Sequence, residues 1–384
     1  MTAASESSPR PIALFDMKAQ QALIRGELDR RIASVLDSGR FVQGPEVDEL
    51  EKQLAAFAGC RHAVGVSSGT DALQIAMMAE GIGRGDAVFL PAFTYTATAE
   101  VPLVLGATPV FVDVDPRSFN IDIADLKRRI ATVKAEGKLR PRAVVGVDLF
   151  GLPADWPAIE AICAEEGMFA LDDAAQAFGA SLDGKRLGRW GGAAALSFYP
   201  TKTLGCYGDG GAILTDSDEK AELYRSLRTH GEGKQRYEVL RTGMNGRLDT
   251  IQAAILLCKL PLFEEELRSR ARIAGWYAER LGNRVQTQAQ RPGAGSAWGL
   301  YSITLPEAAD RPRVQEACKA AGVPTGIYYP LPLHHQPAYR GHHAGGAALP
   351  VSEDLCTRIL SLPMHPYLDE SQADRVCHAI LSAL

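Results

Sequence analysis

Lys202 sits in "ALSFYPTKTLGCYGDGGAILT", after an apolar run and before a glycine-rich one. An amine set among apolar residues loses hydration, which lowers its pKa and suits it to act as nucleophile and base. A lysine alone reads as a solvated surface charge, so its company decides. Upstream, "VGVSSGTDALQIAMM" has the pattern of a strand, a turn of small residues and a helix. Ser68, Gly69 and Thr70, with the free N–H groups of the helix start, would make a cup for a phosphate, Gly69 admitting close backbone approach. The ordinary alternative is a Ser/Asp-capped helix. "FLPAFTYTATAE" places Phe93 and Tyr95 just after the next strand, where either ring would stack on a flat ligand or fill core. "GMFALDDAAQAFGA" ends a strand in two acids, Asp172 and Asp173, with Gln176 three residues beyond. A buried carboxylate beside a protonated ring nitrogen stays ionised through that ion pair. A helix N-cap is the competing use. Ser197 follows a further strand and leads to Lys202.

Each signal is weak alone, but their order is specific: cup, ring, acid, then serine and lysine, each at a strand end. Pyridoxal 5′-phosphate (PLP) makes these demands. Its aldehyde takes a lysine amine as a Schiff base, its pyridine nitrogen an acid, its phosphate several donors. Its ring face takes a flat group and its ring hydroxyl a polar partner, here Gln176. Open α/β sheets bind ligands at the carboxyl ends of their strands, which is where these residues fall.

The elements that must position them follow from hydrophobic pattern. Lys18–Leu36 and Glu46–Phe57 have helical spacing. Short β-rich runs then recur at Ala63–Val66, Ala87–Leu90, Thr108–Val112, Ala143–Val147, Phe169–Leu171, Ala193–Phe198 and Gly211–Thr215, separated by helical stretches such as Asp71–Ala79 and Trp156–Glu166. Several runs are apolar throughout, as strands covered on both faces are, so a mainly parallel α/β sheet is expected. Leu248–Leu281 reads as a long helix that Pro261 breaks or kinks. The expected division is a flexible N-terminal tail over 1–14, a large PLP-binding α/β domain over 15–250, a connecting helix over 251–284 and a small C-terminal α+β domain over 285–384. Gly341–Ala348 is expected to be a mobile loop.

Bulk properties agree with this class. The 384 residues suit a large domain plus a smaller one, and 46% hydrophobic with 23% charged residues is ordinary for a globular chain. A net charge of −5 gives no support for nucleic-acid binding. No apolar run is long enough to span a bilayer, and the Ser/Ala/Pro-rich start lacks the features of a signal peptide. Seven scattered cysteines without a C-x-x-C pair point to buried free thiols in a reducing cytoplasm. The pairs His334–His335 and His342–His343 are not expected to bind metal, because adjacent histidines point apart and no acid stands near them in sequence.

Seven motifs in register, "SSGTDAL", "PAFTYTATA", "DDAAQAFGA", "SFYPTKTLGCYGDGGA", "GMNGRLDTIQAAIL", "YYPLPLHHQPAY" and "LPMHPYL", resemble the DegT-type nucleotide-sugar aminotransferases over about Phe15 to Leu368. These belong to the fold type I, aspartate aminotransferase-like PLP enzymes. The resemblance implies that Gly69, Thr70 and Ser197 hold the phosphate, that Tyr95 stacks on the ring, that Asp173 pairs with the ring nitrogen and that Gln176 lies by the ring hydroxyl. It implies a homodimer with shared active sites: Asn245 reaches the phosphate from the neighbouring subunit, and Arg247 lies near the substrate. Tyr328, Tyr329 and His334 are expected to line the sugar pocket.

Several segments are most similar to aminotransferases acting on UDP-2-acetamido-2-deoxy-3-oxo-glucuronate. Tyr328 stands where a histidine is usual there, and Asp148 replaces a histidine or serine; both are expected to face the substrate. The implied activity is transamination of a keto-sugar nucleotide with L-glutamate as donor, the substrate being a UDP-linked 3-keto sugar or uronate. A dTDP- or GDP-linked 3- or 4-keto sugar is the alternative substrate. A sugar dehydratase is disfavoured because relatives of that kind replace the lysine with histidine. A non-enzymatic regulator on the same fold is disfavoured by the intact Lys202, Asp173 and Ser197.

Overall fold

The computed structural model describes residues 11–235, 237–341 and 348–384. Most of the expected tail lies outside the described residues, as do positions 342–347 of the histidine-containing loop, with His342 and His343. Two helices lead in, α1 (Met17–Ser38), with Asp16 accepting from the Ala19 N–H at 3.0 Å, and α2 (Pro45–Ala58). Then strand and helix alternate: β1 (His62–Val66), α3 (Gly69–Ala79), β2 (Asp86–Pro91), α4 (Ala97–Val104), β3 (Thr108–Val112), α5 (Ile123–Glu136), β4 (Arg140–Val147), α6 (Trp156–Glu166), β5 (Phe169–Asp173), β6 (Ala193–Ser197), β7 (Gly211–Thr215) and α7 (Asp218–Leu227).

The seven strands form one sheet in the order β1-β7-β6-β5-β4-β2-β3, and only β7 runs against its neighbours. The apolar runs are explained by cover on both faces. All six residues of β2 are buried. Leu73, Ile75 and Tyr224 pack on one side, and Leu126, Ile130 and Trp156 on the other. Contact is close enough that a Cβ on Gly146 of β4 would stand 2.7 Å from the Trp156 ring.

From the sheet the chain enters α8 (Thr250–Leu281), which continues through Pro261. The expected break does not occur. A proline removes its own N–H from the ladder and crowds the carbonyl one turn before it, but this helix is held along its length by contacts with α1, α2 and the C-terminal helix. Beyond it lie β8 (Gln286–Thr287), β9 (Tyr301–Thr304), α9 (Asp310–Ala320), α10 (Pro350–Arg358), β10 (Ile359–Leu362) and α11 (Glu370–Leu381), with an antiparallel sheet β8-β9-β10. We propose a large domain, connecting helix and small domain divided near residues 250 and 285. The two separate sheets and the span of α8 support this, although Ala294–Gly295 crosses back to pair with Ser181–Leu182.

The N-terminal segment is pinned by the far end of the chain. The Met364 N–H donates to the Leu14 carbonyl at 3.2 Å, and Gln372 Nε2 to the Pro11 carbonyl at 3.1 Å. On α8, Arg270 holds the carbonyls of Trp298 and Met364 at 3.0 and 3.2 Å.

Candidate active site

The carboxyl ends of β1, β2, β5 and β6 open into a cleft of about 500 Å³. Ser68, Gly69, Thr70, Tyr95, Asp173, Gln176, Ser197, Lys202, Tyr328 and Tyr329 all line it. At β1, Ser68 caps α3: its hydroxyl oxygen accepts from the Asp71 N–H and its carbonyl from Ala72, both at 3.0 Å. The bonds that cap the helix therefore go to Asp71 and Ala72, and the N–H groups of Gly69 and Thr70 ahead of them have no helical partner and stand at the positive end of the helix dipole. A Cβ on Gly69 would stand 2.7 Å from the Ser197 Cβ, so only glycine keeps the cup open against β6.

Past β2, the two aromatic candidates separate. Phe93 is buried in edge contact with Phe119 and Phe150, whereas Tyr95 is 55% exposed and tilts against Tyr329. Phe93 is core and Tyr95 faces the cleft.

Period-two alternation sends the acids of β5 to opposite faces. Asp173 lines the cleft and is held by the Thr98 hydroxyl of α4, 2.8 Å from its Oδ2, and by the Ala175 N–H at 3.3 Å. Burial raises its pKa, while the Thr98 bond and the charge of Lys202 draw it back. Asp172 is fully buried against Asp148. Asp148 accepts from the Ala154 N–H at 2.7 Å and from Trp156 Nε1 at 2.9 Å. Among the described residues its other oxygen meets no donor, and Asp172 has only the Gly188 N–H within loose reach besides Asp148 itself. Burial first, then mutual repulsion, pushes Asp172 well above the ordinary carboxylate range, and burial raises Asp148 as well. A proton shared between the two carboxyls supplies the missing donor. The expectation that Asp148 faces the substrate is therefore corrected: its side chain turns into the protein between β4 and β5.

Lys202 follows β6 on a tight loop, its N–H donating to the Tyr199 carbonyl at 2.9 Å. Burial lowers its pKa, and Asp173 opposes that shift. Buried Lys259 braces the loop from α8, donating to the Gly205 carbonyl at 2.5 Å. Gln176 accepts from the Phe150 N–H at 2.7 Å and donates to the Tyr329 hydroxyl at 3.0 Å, which ties the cleft floor to its far wall.

Three expected residues lie elsewhere. His334 is buried beside Phe111, its Nε2 3.1 Å from Glu353, and does not line the cleft. The short turn Leu333–His335 brings that ring to Glu353 of α10, outside the cleft. Asn245 and Arg247 sit outside their own chain's cleft, bridged to Thr229 and Val66, with Asn245 exposed. The histidine pair also departs from expectation. The two rings are 4.1 Å apart, and Glu353, distant in sequence, approaches both, at 3.1 and 3.6 Å. That acid also accepts from the Leu349 N–H ahead of α10, so the group is explained as a cap and ion pair. Pattern reading passed over Phe15, Leu300 and Thr98. Thr98 lies within a quoted motif, but its partner Asp173 is 75 residues away.

The model of the DegT/DnrJ/EryC1/StrS aminotransferase family matches residues 23–381. A Pseudomonas aeruginosa protein described as UDP-2-acetamido-2-deoxy-3-oxo-D-glucuronate aminotransferase is 45% identical, over 96% of this chain and 99% of its own length. An Acidithiobacillus ferrooxidans protein described as a UDP-N-acetyl-3-dehydro-alpha-D-glucosamine 3-aminotransferase is 40% identical, over 97% and 98%. The crystal structure of a DegT DnrJ EryC1 StrS aminotransferase from Brucella abortus superposes with a TM-score of 0.94 at 46% identity, over 97% of this chain and 99% of that one.

Proposed function

Because the chain belongs to the DegT/DnrJ/EryC1/StrS aminotransferase family, we propose that it aminates the C3 ketone of a UDP-linked sugar, with L-glutamate as donor. The chain is a PLP-dependent aminotransferase of fold type I that acts on keto-sugar nucleotides. The choice of C3 and of UDP follows the descriptions of the two relatives above. A uronate is compatible with the cleft, since Asp148 is buried away from it.

The donor set fits the cofactor: a cup that a Cβ would fill, a buried carboxylate and an amine facing one cleft. This convergence is the observation that carries the reading. We assign the phosphate to Ser68, Gly69, Thr70 and Ser197, the ring face to Tyr95, the ring nitrogen to Asp173 and the ring hydroxyl to Gln176. Bound there, PLP supplies an electron sink that makes the proton on the donor's Cα removable. Asp173, held by Thr98 and Ala175, keeps a negative charge at a fixed point. Lys202, with its pKa lowered by burial, takes the proton from the donor's Cα and later returns one at the sugar carbon. Such acid–base work contributes roughly 10²–10⁴-fold. Tyr328 and Tyr329 form the wall against which the sugar lies.

Among the described residues, Lys202 is the sole cationic side chain lining the cleft of one chain. The remaining charge for phosphates and a uronate is assigned to a second subunit, with Asn245 and Arg247 crossing a homodimer interface. The reaction is assigned to the cytoplasm, where seven buried, unpaired cysteines stay reduced. Among the described residues no helix is long and apolar enough to cross a membrane.

The test is a single turnover with L-glutamate. Wild-type holoenzyme yields 2-oxoglutarate and transfers its nitrogen to a UDP-linked 3-keto sugar. Lys202→Ala retains the fold and loses turnover by at least about a thousandfold. Normal kcat in that variant, or no 2-oxoglutarate from the wild type, overturns the assignment.

A further inference from the structure

Lys202 also lines a second, partly open cavity of about 30 Å³, walled by the start of α1, the Pro200–Gly205 loop, α8 and the segment His365–Tyr367. That volume suits one water, which needs roughly 10–15 Å³ of such space. An anion of phosphate size does not fit. The walls are polar, and most groups are spoken for. Glu266 takes both hydrogen bonds of Gln20, at 2.8 and 3.0 Å, and that of the Tyr367 hydroxyl. Arg270 holds the carbonyls of Trp298 and Met364, but its Nε–H has no partner. His365, only 4% exposed, approaches the Ala13 carbonyl with one ring nitrogen and has no closer partner at the other. Arg270 Nε and one imidazole nitrogen of His365 thus lack partners beside one water-sized space. Leaving such atoms dry is costly, and buried water is the usual remedy.

We propose that this cavity holds an ordered water bridging His365, Arg270 Nε and the amine of Lys202, and that His365 is a positioning residue acting on that amine through the water. The inference rests on Lys202 being the working amine of the cleft. Substrate must displace that amine from its resting place, and the released group then needs an acceptor when protonated and a donor when neutral. A water supplies both. Burial lowers His365 to about 4, so at neutral pH its ring offers one N–H and one lone pair. Asp16, Glu266, Arg270 and Tyr367 are the charged or titratable groups that share the cavity, and the Met364–Leu14 bond fixes the segment carrying the imidazole.

The test is made on the full-length apoprotein and needs no turnover. Its lysines are reductively ¹³C-methylated, and the Lys202 signal, assigned by its absence from Lys202→Ala, is titrated. In His365→Phe the titration is expected to move to lower pH, leaving the amine roughly tenfold less protonated at a given pH. His365→Asn, which keeps a donor and an acceptor, is expected to return most of the way. If phenylalanine overfills the space and prevents folding, His365→Leu carries the same test. A high-resolution crystal structure of the wild type is expected to show water density between His365 and Lys202. No density there, an unmoved titration in the folded Phe or Leu variant, or an Asn variant that moves as far as Phe overturns the proposal. Failure of Lys202→Ala to lose activity would instead strike the functional assignment and leave the titration result intact.

Discussion

Gly69 is the residue whose replacement reads the cup most directly. An added Cβ would stand 2.7 Å from Ser197 Cβ, on backbone that does not require glycine for its φ angle. Gly69→Ala is therefore expected to weaken PLP binding by roughly tenfold or more, on the scale of losing one good phosphate contact, and the clash with Ser197 is expected to cost the apoprotein about 1–3 kcal/mol of stability as well. Equilibrium titration of the apoprotein with PLP checks this. The Asp148–Asp172 pair makes a prediction about pH. In the folded chain these carboxyls hold a proton that the unfolded chain releases near the ordinary value of 3.8, and Asp148 is raised to about 7. The native state thus binds more protons than the unfolded one over that interval, so the pair costs stability as pH rises through it, at roughly 1.4 kcal/mol per pH unit for one proton. Asp172→Asn replaces the shared proton with an amide donor. It is expected to flatten the fall in melting temperature between pH 5 and pH 8, read by calorimetry on the apoprotein. Sequence order was enough to bring Lys202, Asp173 and Ser197 to one cleft, because they stand at or just past the ends of two paired strands, β5 and β6. It could not show that Asp148 turns inward to meet Asp172, because that contact joins two strands and their alternation.

At the scale of elements, helix α10 is seated by a group outside it. Asp113, just past β3, accepts from the Val351 and Ser352 N–H groups at 3.0 and 2.8 Å and from the Ser352 hydroxyl at 2.6 Å. Asp113→Ala removes this cap and is expected to cost about 1–3 kcal/mol in chemical denaturation. Glu353 of the same helix contacts the turn that follows the Tyr328–Tyr329 wall, so KM for the sugar nucleotide is expected to rise more than kcat falls. Steady-state kinetics separate the two. The strands were legible in the sequence because short β-rich apolar runs, spaced between longer helical stretches, match strands covered on both faces. The reversed direction of β7 was not, since Gly211–Thr215 is buried throughout just as a parallel strand would be. Nor was the continuity of α8, where tertiary contact on several sides overrides the local penalty of Pro261.

At the scale of the whole molecule, a shared site has an arithmetic signature. If Asn245 serves the neighbouring cleft, a mixed dimer of Lys202→Ala and Asn245→Ala chains contains one site with both residues intact. Random reassociation makes about half the dimers mixed, so inactive parents should regain about a quarter of wild-type activity. Recovery of none would confine each site to one chain. The pinning of the N-terminal segment sets a further condition on how the enzyme comes to be. Leu14 is bonded to Met364 and Pro11 to Gln372, and the segment between Phe15 and Gln20 walls the space around Lys202. The first-made part of the polypeptide must therefore wait for one of the last. While the ribosome is still reading the intervening codons, the space beside Lys202 lacks one of its walls, and chains released early by premature termination never close it.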